Sequence, residues 1–320
     1  MPVMRRRVLG VALVAALLPG GCGGAETPAA GGRAAATPFA LPDGHGALGG
    51  LLLDRAVIGF GGLSGLHLAP DLRLTSVSDR GFWMTARLVL DGSRPVGLAE
   101  LRTGRLRDGA GRPLTGREGD AESLARLPDG TWLVGFERWH RIRAFRDIDG
   151  PGAYVEAPPE LSLAPDNLGL ESLTILADGR WFGIAEALPA GRPDTTLTWL
   201  GGPGRWTALA WRPAPGFVPV DATGLPDGGA LVLERRFSIF EGGFSARLTR
   251  VPAAALAAAG PGTVLEGRLL FSTQDALPRD NWEGVSAIPQ GDGRLLVVLV
   301  TDDNENSFQR GMIAAFALEL

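Results

Sequence analysis

The sequence predicts an all-β fold, a β-propeller of five blades. Three observations carry this reading. Segments "GLSGLHLAPDLRLTSVSDRG" (62–81), "DAESLARLPDGTWLVGFER" (120–138), "GLESLTILADGRWFGIAEA" (169–187), "DATGLPDGGALVLERR" (221–236) and "NWEGVSAIPQGDGRLLVVLVTDDN" (281–304) share one pattern. Each is an apolar run, a turn and a second apolar run. Their starts lie 58, 49, 52 and 60 residues apart, a period in the propeller-blade range. Between them lie further strand-like runs, "WMTARLVLDG", "TTLTWLGG", "RWTALAWRP" and "GRLLFS", so each unit holds about four short strands. Finally, 47 Gly and 24 Pro are spread between apolar runs in a chain that is 45% hydrophobic, which marks many short strands rather than disorder. A sandwich has no reason to repeat at this period, and a sixth blade would have to hide in a weakly patterned stretch.

The elements follow in chain order. Arg5, Arg6 and Arg7 precede an apolar run, Val8 to Leu18, that is too short to span a membrane, so residues 1–21 read as a signal peptide. "LLPGGC" ends at Cys22 and resembles a bacterial lipoprotein cleavage site, although Pro19 and Gly20 depart from its usual form. An ordinary secretory signal, or a twin-arginine signal built on the Arg run, stays open beside it. The expected location is extracytoplasmic: periplasm or outer membrane as a lipoprotein, or secreted. Cys22 is the only cysteine, which excludes internal disulfides. Residues 22–37 read as a flexible tether and 38–320 as the propeller. "ALGGLLLDRAVIGF" (47–60) is expected to supply the outer strand of the last blade, which ends with "GMIAAFALEL" (311–320), and so to close the ring. Removing three Arg and no acid takes the net charge from −4 to −7, and the chain has no lysine. No nucleic-acid partner is therefore expected. Membrane contact is expected only through Cys22, and the chain is expected to be a monomer.

Asp-Gly as a two-residue loop favours a type I′ hairpin and fixes its register. That register sets Glu122 opposite Glu137, Glu171 opposite Glu186, Asp221 opposite Glu234, Glu283 opposite Asp302, and Ser64 opposite Asp79. "PDGG" at 226–229 would shift the fourth pair if its loop were longer. With the first two strands of each blade innermost, the carboxylates converge at the channel mouth. Like charges opposed on a hairpin are destabilising, so the ring needs cations, protonation or arginines. Arg80, Arg138, Arg235 and Arg236 directly follow the second acids. Structural ion pairs therefore stand open beside a binding site.

The ordered set "GLSGL", "SDRG", "DAESLARLPDG", "LESL", "LPDGGALVLERR", "NWEGVSAI" and "TDDN" resembles the family called esterase-like activity of phytase. The resemblance covers roughly residues 48–320. It implies an extracytoplasmic propeller. Through the family's distant likeness to propeller phytases, which hydrolyse phosphomonoesters at a calcium-lined acidic cleft, it also implies calcium-dependent phosphatase activity. Calcium suits the residues as well, since it takes six to eight oxygen ligands. The candidate metal ligands are Asp79, Glu122, Glu137, Glu171, Glu186, Asp221, Glu234, Glu283 and Asp302. Arg80, Arg138 and Arg235 are the candidate clamp for an anionic substrate. "TDDNENSF" (301–308) is rich in oxygens but lacks the glycine of an EF-hand loop, and reads as a polar connection.

Other chemistries fit less well. "GGLSGL" fails the nucleophile elbow, because Leu66 stands where glycine is needed. Of the three histidines, His45 lies near the tether and His67 on a strand, which leaves His140 as the candidate general base. Scattered histidines make a zinc site improbable. The eight tryptophans read as core between blades. Two functions follow: a Ca²⁺-dependent hydrolase of small anionic esters or phosphoesters, or a non-catalytic binding propeller of the cell envelope with an acid ring closed by arginine.

Overall fold

The structure is a computed structural model and describes residues 34–306 and 308–319. The expected signal segment, Cys22 and most of the tether lie outside these residues. The first strand, β1 (Ala36–Phe39), pairs with β2 (Ala47–Leu53), so the chain enters the fold two residues before the expected boundary at 38.

Five sheets follow one another around a channel. The first blade is β3 (Leu63–Leu68), β4 (Arg73–Ser78), β5 (Phe82–Asp91) and β6 (Arg94–Arg105). The second is β7 (Ala121–Arg126), β8 (Trp132–Phe136), β9 (Arg141–Phe145) and β10 (Ala153–Val155). The third is β11 (Leu170–Ile175), β12 (Trp181–Pro189), β13 (Thr196–Gly201) and β14 (Thr207–Trp211). The fourth holds β15 (Val218–Gly224), β16 (Ala230–Ser238) and β17 (Gly243–Val251). Short β18 (Val264–Leu265) crosses to pair in parallel with β14, and β19 (Arg268–Ser272) then completes the fourth blade. The last is β20 (Trp282–Pro289), β21 (Leu295–Thr301) and β22 (Met312–Leu318), with β2 and β1 added outside β22. The N-terminal strands thus close the ring, as the sequence predicts. Among the described residues no helix is long and apolar enough to cross a membrane.

The first strand of each blade is innermost and packs against the first strands of both neighbours. A ring of sheets buries apolar side chains in the seams between them, and each of the five seams holds one buried apolar cluster. Trp199, Trp211 and Trp282 are fully buried there, whereas Trp139 is exposed, against the expectation of core. Inner strands approach so closely that a Cβ on Gly65 would stand 2.5 Å from the Leu124 amide nitrogen.

The inner hairpins differ from the expected type. Leu127 N donates to Thr131 O (2.8 Å) and Gly130 N to Leu127 O (2.9 Å), so three residues, Pro128 to Gly130, form the loop. Gly130 has φ +91°, the left-handed residue that ends a type I turn with a bulge. The same pair of bonds joins Leu176 with Arg180 and Gly179, Leu225 with Gly229 and Gly228, and Gln290 with Arg294 and Gly293. In the first blade the left-handed position falls on Leu72, at φ 65°. One extra loop residue shifts each register by one. The five carboxylate or serine pairings expected from two-residue loops are therefore not direct cross-strand partners.

Candidate metal centre at the channel mouth

A bulge in each inner strand rescues the convergence that the register shift would have destroyed. Ala121 faces Phe136 and Ser123 faces Gly135, leaving Glu122 as the extra residue. Glu171 is the extra residue between Leu170 and Ser172, and Glu283 between Trp282 and Gly284. The irregularity of the first blade includes Ser64, and in the fourth the extra residue is Val220. A bulge re-aims its side chain, and here it turns three glutamates to the channel.

The second strands supply another layer at the same height. Just beyond the last paired residue, Glu137 N donates to Asp120 O (2.8 Å), Glu186 N to Gly169 O (3.1 Å), Asp302 N to Asn281 O (2.8 Å) and Asp79 N to Gly62 O (3.1 Å). The equivalent residue in the fourth blade is Arg235, paired with Val218. Four acids and one arginine therefore form this layer. Room for them is made locally: Gly62, at φ +70°, would place a Cβ 2.0 Å from Asp79 Oδ1.

Together these residues line a cavity of about 430 Å³ that includes Ser64, Asp79, Asp120, Glu122, Glu137 and Arg138, and also Glu171, Glu186, Arg235, Glu283, Asp302 and Asn304. Carboxylate oxygens of Asp120, Glu122 and Glu137 lie within 4.8 Å of one another, as do those of Glu137, Glu171 and Glu186. Asp120 was not among the sequence candidates, although it stands two residues before Glu122; its signal was the D-x-E spacing at the head of the repeat.

Hydrogen bonds satisfy only part of this charge. Arg235 donates to Glu283, to Asn281 Oδ1 (2.9 Å) and to Glu186 Oε1 (3.1 Å). Arg138 Nε donates to Asp120 at the rim. Ser64 Oγ donates to Glu122 Oε2 at 2.9 Å. Glu171 is 6% exposed, and its Oε1 is buried without a hydrogen-bond partner.

The pKa values show the consequence. Burial, then the neighbouring carboxylates, hold Glu122 and Glu171 well above the usual carboxylate range. Burial pushes Asp79 up to about 6, Glu137 and Asp302 to about 7, and Glu283 to about 8. Burial works against the Arg235 charge, but Glu283, Glu186, Glu171 and Glu122 outweigh it and raise its pKa above the ordinary arginine value.

Several sequence candidates lie elsewhere. Asp221 is fully buried and accepts from Ala222 N (2.8 Å), Val285 N (2.8 Å) and Leu66 N (3.4 Å). It ties three inner strands together across the channel and is not part of the cavity lining. Glu234 faces Trp211 Nε1 (2.9 Å) and Arg247 (3.3 Å), away from the mouth. Both departures follow from the register, which puts Val220 on the bulge and Arg235 in the acid layer. Arg80 pairs with Glu305 at 2.9 Å, outside the cavity lining. His140 also lies outside it. Its Nε2 sits 3.1 Å from Ala164 O and 2.9 Å from Pro165 O, which fixes a loop rather than presenting a base. The 301–308 stretch contributes Asp302 and Asn304 to the cavity, while Asp303 Oδ1 accepts from Gly62 N (3.2 Å) and joins the last blade to the first.

The fold and site define a five-bladed β-propeller with a carboxylate-rich channel mouth. The chain belongs to the phytase-like family, described as esterase-like activity of phytase, whose model matches residues 58–305. No curated protein matches the chain. Among solved structures it is similar to an endo-arabinase from Bacteroides thetaiotaomicron, at 13% identity over 82% of this chain and 96% of that one, with a TM-score of 0.49. It is also similar to a luciferin-regenerating enzyme (10% identity, 88% and 97% coverage, TM-score 0.41). A PQQ-bound aldose sugar dehydrogenase from Streptomyces coelicolor gives 15% identity, 89% and 97% coverage and a TM-score of 0.40.

Proposed function

We propose that the mouth binds calcium and hydrolyses small anionic esters, phosphoesters first among them. The observation that carries this is the buried, unpartnered Oε1 of Glu171 within a triad of carboxylate oxygens spanning at most 4.8 Å. A buried carboxylate without a donor is costly, and a hard cation with oxygen ligands relieves that cost. The donor set is all oxygen, which fits calcium and not zinc. Asp120, Glu122, Glu137, Glu171 and Glu186 would hold the ion.

Bound calcium would neutralise the acids and polarise an ester oxygen. The chain's own groups do the rest. Arg138 gives one N–H to Asp120 and sits at the rim, where its guanidinium can receive an oxyanion. Arg235 stays engaged with Glu186 and Glu283, so it positions ring carboxylates and sets the local charge. The export signal and a lipid anchor at Cys22 would place this site outside the cytoplasm, where calcium is usually available; loss of membrane association in Cys22→Ser would bear the anchor out.

The test is hydrolysis of p-nitrophenyl phosphate and p-nitrophenyl acetate in calcium and in EDTA. Calcium-dependent turnover that Glu171→Gln lowers at least tenfold supports the reading. No turnover of either ester under any condition favours the second one, a binding propeller, which the saturation of Arg235 by two ring carboxylates supports.

A further inference from the structure

The seam between the first and second blades differs from the other four. Register places Thr75 of β4 at the position held by Leu133, Phe182, Leu231 and Val298 in the other second strands. Those four are fully buried and pack into the clusters of their own seams. Thr75 instead borders a cleft of about 770 Å³, larger in volume than the mouth cavity.

The polar wall of this cleft is a built row. Across the first blade, His67 faces Thr75, Thr75 faces Thr85, and Thr85 faces Arg102, so all four side chains lie on one face. Thr75, Thr85 and Arg102 line the cleft, and so do Asp71, Arg73, Glu100 and Asp147. Glu100 is paired with Arg73 (2.6 Å) and Arg87 (3.0 Å), Asp71 with Arg73 (3.9 Å), and Asp147 Oδ1 accepts from Asp149 N (3.3 Å). The Thr75 and Thr85 hydroxyls have no hydrogen-bond partner among the described residues, and Arg102 has no carboxylate partner there. From the second blade, Trp132 and Arg126 form the opposite wall, with the Arg126 guanidinium 4.8 Å from the indole ring centre and likewise without a carboxylate. The His67 and Trp132 rings stand nearly perpendicular with their centroids 5.1 Å apart, and His67 Nδ1 is buried without a partner.

Replacing a packed leucine or phenylalanine by threonine forfeits apolar burial and leaves a void, which a fold does not maintain for stability. Unpartnered hydroxyls, two guanidiniums that no carboxylate pairs and an indole are, by contrast, the groups that receive hydroxyls and an oxyanion. The volume falls within the range of small-molecule sites. We propose that this inter-blade cleft binds an anionic carbohydrate, its oxyanion held by Arg102 and Arg126 and its hydroxyls by Thr75 and Thr85, at a site separate from the channel mouth.

The test is calorimetric titration of residues 34–320 in EDTA, which keeps the mouth metal-free, with glucose 6-phosphate, glucuronate, glucose and inorganic phosphate as probes. Thr75→Leu restores the residue type of the other seams, so its fold is expected to survive; Arg102→Met removes one guanidinium. The proposal expects at least one charged sugar to bind, with a loss of at least tenfold in each variant and no change in Glu171→Gln. The phosphate and carboxylate sugars tell which oxyanion is preferred. Absence of binding by both charged sugars, or binding that either cleft variant leaves unchanged, overturns it. Glucose binding as tightly as the charged sugars overturns the anionic part, and inorganic phosphate binding as tightly overturns the carbohydrate part. None of these outcomes depends on ester hydrolysis at the mouth.

Discussion

Arg235 occupies in the fourth blade the position that Glu186 holds in the third, and its Nη2 donates to that same carboxylate at 3.1 Å. One cation thus stands in a layer otherwise made of Asp79, Glu137, Glu186 and Asp302. It also reaches Glu283 of the fifth blade, so one side chain joins three blades at the mouth. The remaining charge of the ring is left for protons or a metal.

Arg235→Met is expected to destabilise the metal-free protein by about 3–5 kcal/mol, the cost of leaving buried charges without their partner. Urea unfolding in EDTA measures it. Adding Glu283→Gln to that variant should recover part of the loss, because the carboxylate left unpaired is removed; a double variant as unstable as the sum of both singles would deny the coupling.

Glu171→Gln is expected to raise the unfolding midpoint by a few degrees in EDTA, since folding then no longer has to protonate, or bury the charge of, a carboxyl that burial and its neighbours hold well above the usual range. The same change should shrink the calcium-induced rise. A variant less stable than the parent in EDTA would mean that the Glu171 charge is already compensated within the protein.

Much of this was legible in the sequence. The period of about fifty residues gives the blades, and of the apolar run at 47–60, expected as the outer strand of the last blade, Ala47–Leu53 takes that place while Arg55–Ile58 turns into a short helix. The acid types at the mouth were legible too. The register was not, because Pro128-Asp129-Gly130 and Asp129-Gly130 alone are equally good loops on paper and differ by one residue. That residue decides whether Glu122 opposes Glu137 or bulges into the channel. It also moves Arg235 into the acid layer, turns Glu234 to Trp211, and leaves Asp221 tying inner strands. Thr75 carried no signal until the strands were aligned on their pairing.

In EDTA, stability is expected to fall as pH rises from 6.5 to 8. Asp79, Glu137, Asp302 and Glu283 have folded values of about 6, 7, 7 and 8, above their unfolded range, so the native state binds more protons than the unfolded one and loses stability as they ionise. Below 6.5 the trend is opposed by His67, which burial, with Arg126, lowers to about 4 and which therefore favours the unfolded state once that state protonates. Thermal melts across pH check this, and saturating calcium should flatten the slope above 6.5. A midpoint that climbs with pH in EDTA would contradict it.

Asp221→Asn is expected to cost about 1–3 kcal/mol, because an amide cannot accept from the Ala222, Val285 and Leu66 amides as the two carboxyl oxygens do. Its calcium response should stay at the parental size, since Asp221 lies outside the mouth. A lost response with an unchanged fold would return Asp221 to the metal ligands.

The most direct measurement is thermal unfolding of residues 34–320 in EDTA, in millimolar calcium and in magnesium. Ligand at a hundred times its dissociation constant adds about 2.7 kcal/mol, which moves the midpoint of a chain this size by several degrees. Calcium should raise the midpoint, magnesium should not match that rise, and Glu171→Gln should diminish it. Identical midpoints in all three conditions would contradict it, and would leave the mouth a ring held by Arg235 and protons alone.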